Sequence, residues 1–286
     1  MLGRKLADFV ATRLMFSTTV LAASIILFIG IGLFLKSRLI LEAKPLSELL
    51  FSDLWRPFQG HFGFYPFIMG TLWVTVLAGI MALPLALLSA LYLAEYAPGR
   101  IRAIAKPALD LLAGIPSVVY GLWGVLVLSL GGLNIGFNVL AGSIVLAIMV
   151  IPVVTSISEE VFRTVPQDIK EASLAVGATK WETTKHVVIR SSMPGVVAAA
   201  ILGFSRAFGE TMAVLMVVGN VAKAPSSVLD PAYPLTALIA NNYGEIMSVP
   251  LYDSALMLAA LLLLLVVLVF NVLARLVLMR IQQRWT

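Results

Sequence analysis

Apolar residues along this chain gather into six runs, at positions 14–35, 66–92, 107–130, 138–157, 194–221 and 253–279. A helix rises about 1.5 Å per residue and the hydrocarbon layer is about 30 Å thick, so about 20 apolar residues suffice to cross it. Each run can cross once, some with tilt. The pattern predicts an all-α polytopic membrane protein with six transmembrane helices. Arg4, Lys5 and Arg13 ahead of the first run imitate a secretory signal. The length of that run and the lack of an A-x-A-like cleavage site after it favour a retained anchor.

Two polar connections are long enough for structure of their own: the one before the second run, and the one spanning 158–193. The latter reads SEEVFRTVPQDIKEASLAVGATKWETTKHVVIRSSM, with helix-forming charged positions among Ala, Val, Ile and Trp. It predicts short amphipathic helices at a membrane surface, with a break or turn at Gly177. Such helices either lie against lipid or form a docking surface for a partner.

Composition fits the pattern, with 60% hydrophobic and 12% charged residues against roughly 25% charged in soluble domains. A water-soluble fold is excluded. The absence of cysteine removes disulfides and thiolate chemistry, and His61 and His186 lie too far apart in sequence to suggest a metal centre. The net charge of +5 does not imply nucleic acid, because the basic residues flank apolar runs. With both termini placed in the cytoplasm, fourteen Lys and Arg residues fall on that side: Arg4, Lys5, Arg13, Arg100, Arg102, Lys106, Arg163, Lys170, Lys180, Lys185, Arg190, Arg275, Arg280 and Arg284. The other side holds Lys36, Arg38, Lys44, Arg56 and Lys223, with the acids Glu42, Glu48, Asp53, Asp230, Glu245 and Asp253. Positive residues stay preferentially inside, so this orientation is expected.

The twentieth basic residue, Arg206, falls inside the fifth run, with Glu210 four residues on. On a continuous helix that spacing puts both on one face. An intramembrane arginine costs about 2.5 to 3.5 kcal/mol on insertion scales and usually faces protein or a water-filled cavity. One reading is an ion pair that pins helices together. The other is a translocation path, where the planar guanidinium suits an oxyanion and Glu210 holds Arg206 while substrate is absent, keeping anion binding weak enough for release. Asp110, near the inner end of the third run, is expected to pair with a basic loop residue.

Pro84, Pro116 and Pro152 lie inside runs and predict kinks. Around Pro116 the segment 114–124, GIPSVVYGLWG, adds glycines and the hydroxyls of Ser117 and Tyr120. Small residues permit close helix packing; alternatively, a kinked helix lines a path where Ser117 and Tyr120 offer hydrogen bonds to a polar solute.

The stretch 171–177, EASLAVG, resembles the EAA loop of ABC importer permeases. Together with GATKWETTKHVV, GIPSVVYGLWG and ILGFSRAFGETMAVLMVVGN, it resembles the permeases of phosphate importers, of the PstC type, over roughly residues 66–279. The resemblance implies a type I ABC importer permease (MetI-like) fold, with a first helix and outer loop at 1–65 and a core at 66–286. It implies that Glu171, Ala172 and Gly177 belong to a coupling helix seated on a cytoplasmic ATPase, and that Arg206 and Glu210 act in phosphate passage. It also implies four kinds of partner: a second permease (PstA type), two ATPase subunits (PstB type), an extracytoplasmic phosphate-binding protein (PstS type), and membrane lipid. The inner membrane is the implied location, and no cofactor is implied. The family's Leu-Pro after the loop is replaced by Ile189-Arg190, so Pro194 is expected to take over the turn into the fifth span. The chain carries no G-x-x-x-x-G-K-[ST] run, so ATP hydrolysis is expected in a separate subunit. Three rival readings are a permease for sulfate or molybdate, an ion-coupled secondary transporter, and an intramembrane hydrolase, for which no span offers a histidine.

Overall fold

The structure, a computed structural model, describes residues 2–130, 133, 135–244 and 249–283, with the side chains of 2–7, 130 and 281–283 left aside. Glu245 and Arg284, and the side chains of Arg4 and Lys5, all used above for orientation, therefore lie outside what is described. Five helical stretches are long and apolar enough to cross a membrane, and a sharply bent pair of helices makes up to six.

Helix α1, Leu2–Ala43, turns most of its apolar side chains outward and packs on α12, Pro250–Gln283. The Ser254 hydroxyl fastens the pair, donating to the Lys36 carbonyl at 2.9 Å and accepting from the Ile40 amide at 3.1 Å. After α1 come α2, Leu46–Phe51, and a hairpin of β1, Trp55–Arg56, and β2, His61–Phe62. Trp55 packs its ring on Phe62, Phe64, Phe67 and Tyr252, so the hairpin becomes an aromatic lid over the starts of α12 and of α3, Tyr65–Leu91.

The centre is the pairing of α3 with α6, Val139–Arg163, the most extensive contact in the bundle. Ala78, Ala82 and Ala86 recur every four residues on the buried face of α3, where Leu146, Val150 and Val154 of α6 fill the space. Without a hydrophobic drive between helices in lipid, such small residues gain their stability by close van der Waals approach. Asn138 starts α6 by accepting from the Ala141 amide at 2.9 Å. Helix α9, Ile189–Gly209, comes just as close: a Cβ on Gly203 would meet Val154 at 2.4 Å, and one on Gly195 would meet Val161 at 2.5 Å.

Two expected spans are broken. The third is not one kinked helix: α4, Gly99–Gly114, and α5, Ser117–Gly124, meet at 88°. Ile115, ahead of Pro116, is extended, as proline demands of its predecessor. The fifth does not begin near Pro194 or run through 221. The chain stays helical from Lys180 to Gly209, with Pro194 inside α9 and making no turn. The helix stops at Glu210, which is extended, and a short α10, Met212–Val217, follows before Gly219 and Asn220, both at positive φ. The segment 218–234 then folds over that end of the bundle. There Ser226 and Ser227 hydrogen-bond Asp230 and hold its carboxyl below the usual carboxylate range. Helix α11, Leu235–Asn242, leads to α12.

Between α6 and α9 lie the predicted amphipathic helices: α7, Gln167–Ala175, and α8, Lys180–Thr183. Gly177 ends the first at φ +93°, a conformation glycine adopts without cost.

Candidate functional site

The last turn of α4 ends at the break with the carbonyls of Leu112 and Ala113, and two side chains reach them. Tyr120, on α5 and buried, donates its hydroxyl to the Leu112 carbonyl at 2.8 Å. Arg206, on the last turn of α9, points its guanidinium at the Ala113 carbonyl at 3.5 Å. A cation and a donor at a helix C-terminus complement its dipole. The elbow therefore brings together two residues that the sequence singled out, Tyr120 and Arg206, and Ser117 is the first residue of α5. Arg206 is exposed, and among the described residues it enters no ion pair. One turn along α9, Leu202 borders an open groove of about 670 Å³, shared with Ser205, Asn271 and Arg275.

Glu210 is not Arg206's counter-ion. Because α9 ends at Gly209, the four-residue spacing no longer sets both on one face. The carboxylate turns to the next helix, where Oε1 accepts from the amides of Thr211 at 3.1 Å and Ala213 at 3.2 Å. It caps α10, while its own carbonyl accepts from Thr236 at 3.1 Å. Asp110 is exposed and, among the described residues, joins no ion pair, contrary to the expectation.

The second constellation lies at the basic end. Glu171 and Ala172 are exposed on α7, with Glu171 accepting from Gln167 at 3.2 Å, and Gly177 follows in the turn. Ile169, Leu174, Val176 and Trp181 are exposed on the same short segment, and Val176 is 86% exposed. Four large apolar side chains on a charged surface loop read as a contact surface. Thr179 and Glu182 form a capping box that starts α8.

Behind this segment lies an ionic cluster that sequence reasoning missed. Glu159, only 3% exposed, draws in Arg102 at 3.7 Å, Lys106 at 3.8 Å and Arg163 at 3.5 Å. Lys170 of α7 meets Glu95 at 2.6 Å. The sequence offered only the i,i+4 pair of Glu159 and Arg163 as a signal, since Arg102 and Lys106 lie on a different helix far along the chain.

A profile for the binding-protein-dependent transport system inner membrane component family matches residues 82–285. The chain belongs to this family. Among its relatives is the probable ABC transporter permease protein YqgH of Bacillus subtilis, 39% identical over 233 residues, covering 79% of this chain and 75% of that one. Another is the phosphate transport system permease protein PstC of Mesorhizobium japonicum, 35% identical over 305 residues, covering 96% and 93%. A solved inward-facing MetNI methionine ABC transporter shares the fold at a TM-score of 0.60 and 20% identity, covering 80% of this chain and 99% of that one. The family is one of membrane permease subunits, so the polytopic, MetI-like architecture expected from the EAA-like stretch is the one found. Within that frame the EAA-like residues occupy the exposed short helix at the basic end, and Arg206 and Tyr120 meet at the elbow.

Proposed function

We propose that this chain is one permease subunit of an ATP-driven phosphate importer, with both termini cytoplasmic and the basic end facing the cytoplasm. Residues 66–286 form the transport core, and 1–65 add an anchoring helix and an outer loop. The observation that carries the reading is Arg206: a guanidinium inside the apolar fifth run and on the last turn of α9, exposed on the flank of the bundle and free of any carboxylate among the described residues. Facing lipid it would be costly. Facing a second permease across a wet seam, it becomes a selective donor for a tetrahedral oxyanion, with Tyr120 and Ser117 supplying hydroxyls nearby. The PstC relatives favour phosphate as that anion.

Weak holding suits passage, since a deep well would stop release. Glu210 serves by shaping the path: its cap on α10 ends α9 one turn beyond Arg206. The exposed surface of Ile169, Leu174, Val176 and Trp181, with Glu171, Ala172 and Gly177, seats in a groove of an ATPase subunit, of which the complex holds two copies beside a second permease, and a phosphate-binding protein docks at the opposite end. ATP hydrolysis takes place in the ATPase subunits, and this chain converts it into alternating access.

The test is ATP hydrolysis by the reconstituted complex in the presence of phosphate, sulfate or molybdate. Phosphate alone stimulates it, and Arg206→Gln abolishes both stimulation and uptake while the protein stays in the membrane. Stimulation by sulfate or molybdate instead reassigns the anion. Wild-type uptake by Arg206→Gln removes Arg206 from the path.

A further inference from the structure

We infer that Glu95 and Tyr96 are positioning residues that fasten the ATPase-contacting segment to the inner end of α3 and, through Arg102, to α4, so that α4 is the lever between motor and elbow. This rests on the function proposed above.

Past Leu91, α3 continues as a π-helical turn, Tyr92–Tyr96. Its last two residues hold both halves of the coupling segment. Glu95 takes Lys170 of α7 at 2.6 Å, with the two side chains only 11% and 13% exposed. Exposed ion pairs contribute little, but a shielded one leaves an uncompensated charge when one partner is removed. Tyr96 places its ring 4.6 Å from the Lys180 ammonium, a cation–π contact, and donates its hydroxyl to Thr184 Oγ1 at 3.3 Å. Thr184 opens a second π-helical turn, Thr184–Val188, at the entry to α9. Single-turn π segments are frequent at functional sites, and two of them meet at this clamp.

The connection continues. Arg102 of α4 lays its fork on the π-turn, donating to the Leu93 carbonyl at 2.9 and 2.8 Å and to the Ala94 carbonyl at 2.9 Å. The same Nε lies 3.7 Å from Glu159 of α6, so the start of α4 is tied to both central helices. From Arg102, α4 runs about 16 Å to Leu112 and Ala113, whose carbonyls are the ones Tyr120 and Arg206 address. A push on α7 or α8 is therefore delivered to the end of α3 and the start of α4, and α4 ends at the anion's station. Spatial continuity alone does not establish coupling, so the measurement must read coupling itself.

That measurement is phosphate taken up per ATP hydrolysed, in proteoliposomes holding the full complex with its binding protein. Glu95→Gln keeps the ATPase subunits bound and basal hydrolysis intact but lowers the ratio by roughly 5-fold or more, the lower end of ordinary coupling between sites. Glu95→Asp restores most of it, and so does the swap of Glu95→Lys with Lys170→Glu. A wild-type ratio in Glu95→Gln overturns the inference. So does loss of the ATPase subunits from that variant, which would make the pair a prop for the docking surface. If the wild-type complex moves no phosphate, the substrate assignment fails instead, and the ratio is read with whichever anion stimulates hydrolysis.

Discussion

Arg206 and Glu210 share a span and a spacing that suggests partnership, yet they serve different tasks. The arginine is offered outward, and the glutamate is consumed by two backbone amides of α10. A capping oxygen need not be charged. Glu210→Gln, whose amide oxygen accepts the same bonds, therefore retains most uptake, whereas Glu210→Ala loses the cap, worth about 1 kcal/mol, and with it the geometry of the break; uptake and thermal stability of the two variants separate charge from capping. The sequence marked both residues because an ionisable group in an apolar run is conspicuous. Their division of labour was hidden, because the helix break at Gly209 lies inside a run that stays apolar enough overall to read as one span, with MAVLMVV following. Asp110 was misjudged for a related reason: nearness to loop cations along the chain does not bring them together in space.

At the scale of elements, hydropathy located every crossing segment but not where the backbone gives way. Pro116 was visible, yet a proline inside a run is compatible with a mild kink as well as with the 88° elbow observed. Pro194 lies inside a helix without turning it. Apolarity reports only that a segment avoids water. Packing, by contrast, was partly legible in the glycines of 114–124, where a Cβ on Gly124 would meet Val145 at 2.5 Å. Gly203 sits where α9 crosses α6, and a Cβ there would meet Val154 at 2.4 Å. Gly203→Leu forces the two helices apart, and overpacking of this kind costs about 1–3 kcal/mol. A lowered unfolding temperature in detergent and reduced uptake check this.

For the molecule as a whole, the proposed function makes the basic end the assembly end. Its four exposed apolar side chains sit on a segment held from behind by Glu95 and Tyr96 and presented outward. Val176→Asp puts a charge where contact is expected, so the ATPase subunits no longer co-purify with the chain, while membrane insertion is unchanged. The fold class was readable from six apolar runs, and the resemblance pointed to the segment proposed above as the docking face. The clamp behind it was not readable, since Glu95 and Lys170 are 75 positions apart.

The exposed guanidinium also bears on biogenesis. A copy of this chain made without companions must offer Arg206 and the elbow beside it to acyl tails, where an unshielded arginine costs kilocalories per mole. Surplus chains thereby carry their own mark of being unassembled. On the proposed assembly, matched synthesis of the permease pair follows from the elbow itself, and rapid turnover of the orphaned chain is the expected outcome.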